Sequence, residues 1–234
     1  MSARRPLLFV IACALLAAAA VAVAARGTGG DAGPAPGAAP VPGSIALTNR
    51  TWVCDGPVDL ASVTVTMTAA GRRGGDAVHL AAGCTGRIGV LTVTEYVADG
   101  VKIADGAHDL TIGGGTIRCL AKTPSVHQDG VQAMGGARIT LDGLRISCGR
   151  PGASLINSNL FINRGVRSTA PPTDVVCVDC VFGGGAAHTV SIQDSVRSGV
   201  VGSSLCTARY PKLTLTIGNG AVAPVDVRNT IRGC

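Results

Sequence analysis

The sequence predicts an all-β chain folded as a parallel β-helix, a solenoid of about six to seven coils stapled by disulfides. Three observations lead there. First, Asp76-Ala-Val-His-Leu80, Asp99-Gly-Val-Lys-Ile103 and Asp129-Gly-Val-Gln-Ala133 repeat one pattern of acid, tiny residue, valine, polar residue and apolar residue. A pattern recurring every twenty to thirty residues or so marks one structural unit being stacked. Second, alternation of period two with β-branched enrichment runs through residues 44 to 234, and no 3.6-period stretch interrupts it. Third, the chain carries 33 glycines and only 3% aromatics, which suits narrow turns and small aliphatic interiors. A β-sandwich is the competing fold, and it would require the repeats to be accidental.

The elements follow in order. Arg4 and Arg5 precede the apolar run Leu7 to Ala25, and Ala22-Val23-Ala24 offers a small-residue cleavage site. Residues 1–25 therefore read as an export signal, or as an anchor if left uncleaved. The run continues well past Cys13, which argues against a lipoprotein processing site there. Residues 26–43 are rich in Gly, Ala and Pro and read as a linker. Residues 44–234 read as one β-helix domain. Looser copies of the repeat stand at Asn159-Leu-Phe-Ile-Asn163, Thr189-Val-Ser-Ile-Gln193 and Lys212 to Ile217. Second strands follow at Gly106 to Ile112, Gly135 to Leu141, Pro172 to Val176 and Pro224 to Arg228. Each unit is thus strand, glycine turn, strand, short turn, third strand and loop.

Formal charge is +6, or +4 without Arg4 and Arg5 (6 − 2). The basic residues are scattered and not interleaved with aromatics, so nucleic acid is a poor partner. Of nine cysteines Cys13 falls in the leader, leaving eight, an even count that suits an exported chain. Cys119 and Cys148 end equivalent strands, so stacking brings them about 5 Å apart, within disulfide reach. Cys54 with Cys84, and Cys206 with Cys234, are similarly one coil apart. Cys177 and Cys180 flank a two-residue turn and are read as bonded across it. Eight cysteines admit on the order of 100 pairings, so this set is a ranking among them. A redox or zinc role for Cys-x-x-Cys is the rival reading, without a second such motif or a histidine pair to support it.

If the valines point inward, the residues between them point outward. One outward column then holds His79, Lys102 and Gln132, continuing to Phe161, Ser191 and Thr214. A second holds Asn163, Gln193 and Thr216. Asp76, Asp99 and Asp129 stand at the strand entrance, with Asn159 near the same place. His127 precedes Asp129, and Arg164 follows Asn163. The richest cluster is His127-Gln-Asp-Gly-Val-Gln132. His108 and His188 are placed at turns and given no role. Asn49-Arg-Thr51 matches a glycosylation acceptor.

On its coil pattern the chain resembles the right-handed parallel β-helix superfamily, the pectate-lyase-like group, over roughly residues 44 to 234. The His-x-Asp-Gly-x-Gln stretch resembles one found in exported members, several of which act on polysaccharide. The paired-aspartate and Gly-His-Gly signatures of polygalacturonase-type hydrolases are absent, as is the arginine-rich motif of classical pectate lyases. The resemblance implies a secreted, carbohydrate-active protein.

Lyase cleavage of an acidic polysaccharide is the leading mechanism. It needs a cation to neutralise the uronate and a base to remove the adjacent proton. Lys102, His127, Asp129 and Arg164 are the candidate catalytic residues, with His79, Gln132, Asn163 and Gln193 binding substrate. No cofactor is required by the sequence, although stacked Asp76, Asp99 and Asp129 offer the hard oxygen donors that calcium takes. A non-catalytic glycan-binding or scaffold β-helix is the alternative, and a glycoside hydrolase using paired aspartates is a third. The bland reading of these aspartates is turn structure, since an acid before a small residue accepts backbone N–H groups well.

Overall fold

Valine recurs in the repeated segment because it fills an inward column. The structure, a computed structural model, describes residues 43–67, 75–94, 98–119, 128–149, 157–184, 186, 188–207 and 230–233. They lie in one unit running from Pro40 to Cys234. The leader, His127, Thr214, Thr216, the repeat copies after residue 207 and Cys234 lie outside the described residues, as do all but the last residue of the linker. Nothing is described for the Cys206 side chain.

Eighteen strands are described, and among the described residues there is no helix. They are β1 (Gly43–Thr48), β2 (Trp52–Cys54), β3 (Pro57–Thr66), β4 (Val78–Leu80), β5 (Thr85–Thr94) and β6 (Val101–Ile103). Then come β7 (His108–Ile112), β8 (Gly115–Cys119), β9 (Asp129–Ala133), β10 (Ala137–Asp142), β11 (Leu144–Cys148) and β12 (Ser158–Ile162). The last are β13 (Thr173–Val178), β14 (Val181–Gly184), β15 (His188–Ile192), β16 (Gly199–Val201), β17 (Ser204–Thr207) and β18 (Thr230–Gly233).

Every pairing is parallel. A six-stranded sheet runs β2-β4-β6-β9-β12-β15 and contains all the described copies of the repeat. A 12-stranded sheet holds the rest and divides at β5. The first part of β5 pairs with β7 through Gly86–Ile88, the second with β8 through Leu91–Thr94. From there one row continues through β10, β13 and β16, the other through β11, β14, β17 and β18. The division occurs where Gly113 and Gly114 separate β7 from β8 beside Gly89. In the later strands the same bend takes one or two residues: Gly143, Asp179 and Gly202 all sit in the left-handed region, at φ of 66°, 50° and 61°. Such φ values favour glycine and tolerate aspartate.

The register makes the columns explicit. Val78, Val101, Val131, Leu160 and Val190 stack inward, beside Leu80, Ile103, Ala133, Ile162 and Ile192. All ten are buried, each large one contributing about 1.5–3 kcal/mol of transfer free energy. The tiny second residue of the repeat also has a cause. A Cβ added at Gly130 would lie 2.4 Å from the Asn159 carbonyl oxygen and 2.5 Å from Ile146 Cγ2.

Three disulfides form, and they are those expected for the described cysteines. Cys119–Cys148 joins directly paired residues with Cα atoms 4.6 Å apart. Cys177–Cys180 clasps the bend at Asp179. Cys54–Cys84 also forms, with Cα atoms 5.3 Å apart, but not as a stacked equivalent pair. Cys54 pairs in register with Leu80, and Cys84 lies in the turn after β4, where its N–H donates to Ala81 O.

An ion ladder that the sequence reading missed crosses the β7-β10-β13 row. Asp109, Arg138, Asp174 and Arg197 occupy successive left-handed positions. Arg138 grips Asp109 through two bonds of 2.5 and 2.7 Å, and Arg197 grips Asp174 the same way. The Arg138 guanidinium first, and His108 after it, hold the Asp109 carboxyl well below the usual carboxylate range.

Gly130→Ala is conservative by sequence, because Ala77 holds the equivalent place in the first copy. The close approach of Asn159 makes it an overpacking change, expected to cost roughly 1–3 kcal/mol in a urea melt. An unchanged midpoint would contradict the stated register.

Candidate functional site

The repeated aspartates are placed by a backbone requirement. Oδ1 of the first two accepts the amide N–H of the next aspartate: Asp99 N–H donates to Asp76 at 3.4 Å, and Asp129 N–H to Asp99 at 3.0 Å. Oδ2 faces the fourth residue of its own copy. His79 Nδ1 lies 3.5 Å from Asp76, Lys102 Nζ 3.6 Å from Asp99, and Gln132 Nε2 donates to Asp129 at 3.1 Å. So the polar fourth residue, read from sequence as a free outward group, is the partner of its own aspartate. Asp129 receives a further bond at Oδ1 from Asn157 Nδ2, at 2.9 Å.

The column His79, Lys102, Gln132, Phe161, Ser191 stacks in the expected order, and Val53 precedes it. Its exposure is uneven. His79 and Lys102 show 35% and 33% of their side chains to solvent, whereas Gln132 and Ser191 are buried. Asp129 is completely buried. A carboxylate with no exposed surface and both oxygens engaged does not reach a substrate in this arrangement.

The structure relocates several other expected site residues. Ser158, not Asn159, stacks on Asp129, and His188 stacks on Ser158 at the start of β15. Asn159 is inside, where its Oδ1 accepts Cys148 N–H at 2.9 Å and its Nδ2 donates to Gly183 O at 3.0 Å. Asn163 Oδ1 accepts Asp194 N–H at 3.2 Å, and Gln193 Nε2 donates to Ser191 Oγ at 3.3 Å. Arg164 is held by Asp194 at 2.8 Å. His108 starts a strand instead of occupying a turn, with Nδ1 2.8 Å from Asp109 Oδ2.

Asp99 has a strongly perturbed environment. It is 3% exposed and lies between two like carboxyls in the stack. Burial first, then the charges of Asp129 and Asp76, push its pKa up to about 7, against the opposing effect of Lys102 and the Asp129 amide. Calcium does not fit this ladder. Asp76 and Asp99 each commit one oxygen to a neighbouring amide, and Asp129 commits both to side-chain amides. Among the described residues, no three His, Cys, Asp or Glu side chains converge as a metal requires.

An open groove of about 450 Å³ lies beside β6, lined by Lys102, Asp105, Met134, Val166, Arg167 and Ser168, among others. Residues 163–172 connect β12 to β13 and are firmly tied down, and Gly165 to Ser168 of this loop form the groove's far wall. Gly165 N–H and Ser168 Oγ both donate to Met134 O, at 2.9 and 2.6 Å. Thr169 N–H donates to Asp105 Oδ2 at 2.7 Å, and Arg164 N–H to Asp194 O at 3.0 Å. Val166 is fully exposed. Arg167 is exposed and has no acid partner among the described residues. Sequence reasoning passed over it because it lies outside the repeat. Its signal was the Arg164-Gly-Val-Arg167 interruption between two strand copies.

No protein family profile, curated protein or solved structure matches this chain.

The raised pKa of Asp99 has a signed consequence for stability. Below about pH 4 the carboxyl is neutral both folded and unfolded. As pH rises to about 7 only the unfolded chain loses the proton freely, so the folded state loses stability by on the order of 4 kcal/mol. Asp99→Asn keeps the Oδ1 acceptor and removes the titration. It is expected to melt with the parent at pH 4 and above it at pH 8. Parallel melting curves across that range would contradict the assigned environment.

Proposed function

We propose that this chain is an exported, right-handed parallel β-helix that holds an acidic polysaccharide in the groove between Lys102 and Arg167. The three rows of parallel strands recurring along the chain support the β-helix, and right-handed crossover is the rule for parallel connections. Three disulfides accord with an oxidising compartment, and the leader supports export. The observation that carries the ligand is the tied loop at residues 163–172. Its hydrogen bonds keep Arg167, a cation without a counter-charge among the described residues, in the wall of a groove that also contains Lys102. A pre-ordered cationic wall lowers the ordering cost of binding and selects carboxylates over neutral chains.

Binding without cleavage is the better supported reading among the described residues, where Asp129 is buried and Arg164 is held by Asp194, so neither joins Lys102 as a free catalytic group. Lyase-type cleavage is the second reading, favoured by one observation: Asp99, titrating near neutral pH, stands 3.6 Å from Lys102 Nζ. The hydrolase reading loses its two carboxyls to burial.

The test is retention of the purified chain by an immobilised polyuronate against a neutral glucan. Retention on polyuronate alone is expected, weakening with salt and falling about tenfold or more in Lys102→Ala/Arg167→Ala. Equal retention on both polymers, or none, would overturn the reading. Ultraviolet absorbance from an unsaturated uronate product would convert the binder into a lyase.

A further inference from the structure

The same loop walls a second groove. It has a volume of about 290 Å³ and lies on the other side of Asp105, lined by Gly106, His108, Ala137, Arg138, Thr169 and Pro171, among others. Asp105 lines both grooves. Residues 165–168 of the loop face the first groove, and Thr169 to Pro171 face the second. The divider is fixed, since Asp105 Oδ2 accepts both Thr169 N–H at 2.7 Å and Thr169 Oγ1–H at 3.3 Å.

The two grooves differ in chemistry. The first carries Lys102 and Arg167, the latter without an acid partner among the described residues, against the single carboxylate of Asp105. In the second, Asp109 offsets the charge of Arg138 and orients His108, with Nδ1 at 2.8 Å from Oδ2. That leaves the imidazole Nε2 outside this contact, in a groove that Ala137 and Pro171 also line. A groove whose arginine is already offset, holding one oriented imidazole and the Asp105 carboxylate, suits hydroxyl groups on a sugar ring. A cationic groove suits a carboxylate. Both volumes are near or above roughly 300 Å³, the lower end of small-ligand sites.

We propose that the two grooves are consecutive subsites for a single uronate-containing oligosaccharide crossing the corner between β6 and β7. The uronate carboxylate lies between Lys102 and Arg167, and the hydroxyls of a neighbouring sugar meet His108. This rests on the acidic-polysaccharide reading above and adds to it a direction and a minimum ligand length. Joining two subsites through one ligand raises affinity without a new contact at either.

Chain-length dependence tests it. Affinities of the full chain for a uronate monosaccharide and hexasaccharide are measured by calorimetry, alongside His108→Ala, His108→Gln and Lys102→Ala. The thermal midpoint of each variant is checked first. The parent is expected to bind the hexasaccharide about tenfold or more tighter than the monosaccharide. Both His108 variants should lose most of that increment while binding the monosaccharide as the parent does. Lys102→Ala should weaken both ligands. A length increment that survives in both folded His108 variants, or is absent from the parent, would overturn the second subsite and leave the first groove standing. No binding of either ligand by the parent would overturn both.

Discussion

A backbone amide donated to an aspartate one strand back recurs along the six-stranded sheet, and it ties register to charge. Asp76 takes the N–H of Asp99, and Asp99 takes the N–H of Asp129. A slip of one residue would break this chain of bonds and turn every inward valine outward. The same register that buries Val78, Val101 and Val131 therefore stacks three carboxyl groups. The fold accommodates the repulsion in three ways. Lys102 and His79 face two of the acids, neutral amides from Gln132 and Asn157 satisfy the third, and Asp99 keeps its proton towards neutral pH.

Stacking also decides what is left for binding. Strands supply a regular surface whose polar side chains are largely spent on one another. The irregular insertion at residues 163–172 is different. It crosses the corner beside β6 and is fixed at Met134, Asp105 and Asp194. Chemistry that the repeat cannot offer, an arginine without a counter-charge among the described residues, is available there. This division of labour is common, with a rigid scaffold holding a loop that carries the recognition.

Much of the fold was legible because stacking writes its period into the sequence. The repeated Asp-small-Val segments lie in one sheet, and Cys119 lies over Cys148. The site was less legible. Alternation says which way a side chain leaves the strand, not what it meets there. It placed His79, Lys102 and Gln132 in the correct column but could not say that each turns back to its own aspartate. It also could not show that Gln132 and Ser191 are buried while Lys102 remains open. Arg164 stood out from sequence through its place after Asn163, yet Asp194, distant in the chain, claims it. Arg167 sits in a segment without periodicity, where pattern reading has nothing to count.

The central claim is that the three aspartate copies lie one over the next, with Asp99 enclosed between the other two. A carbon-13 titration of the side-chain carboxyls tests it most directly, since each aspartate is observed separately. The account predicts that Asp99 titrates with a midpoint of about 7, far above the exposed aspartates. A midpoint for Asp99 in the ordinary carboxylate range, near 4 or so, would contradict the stack.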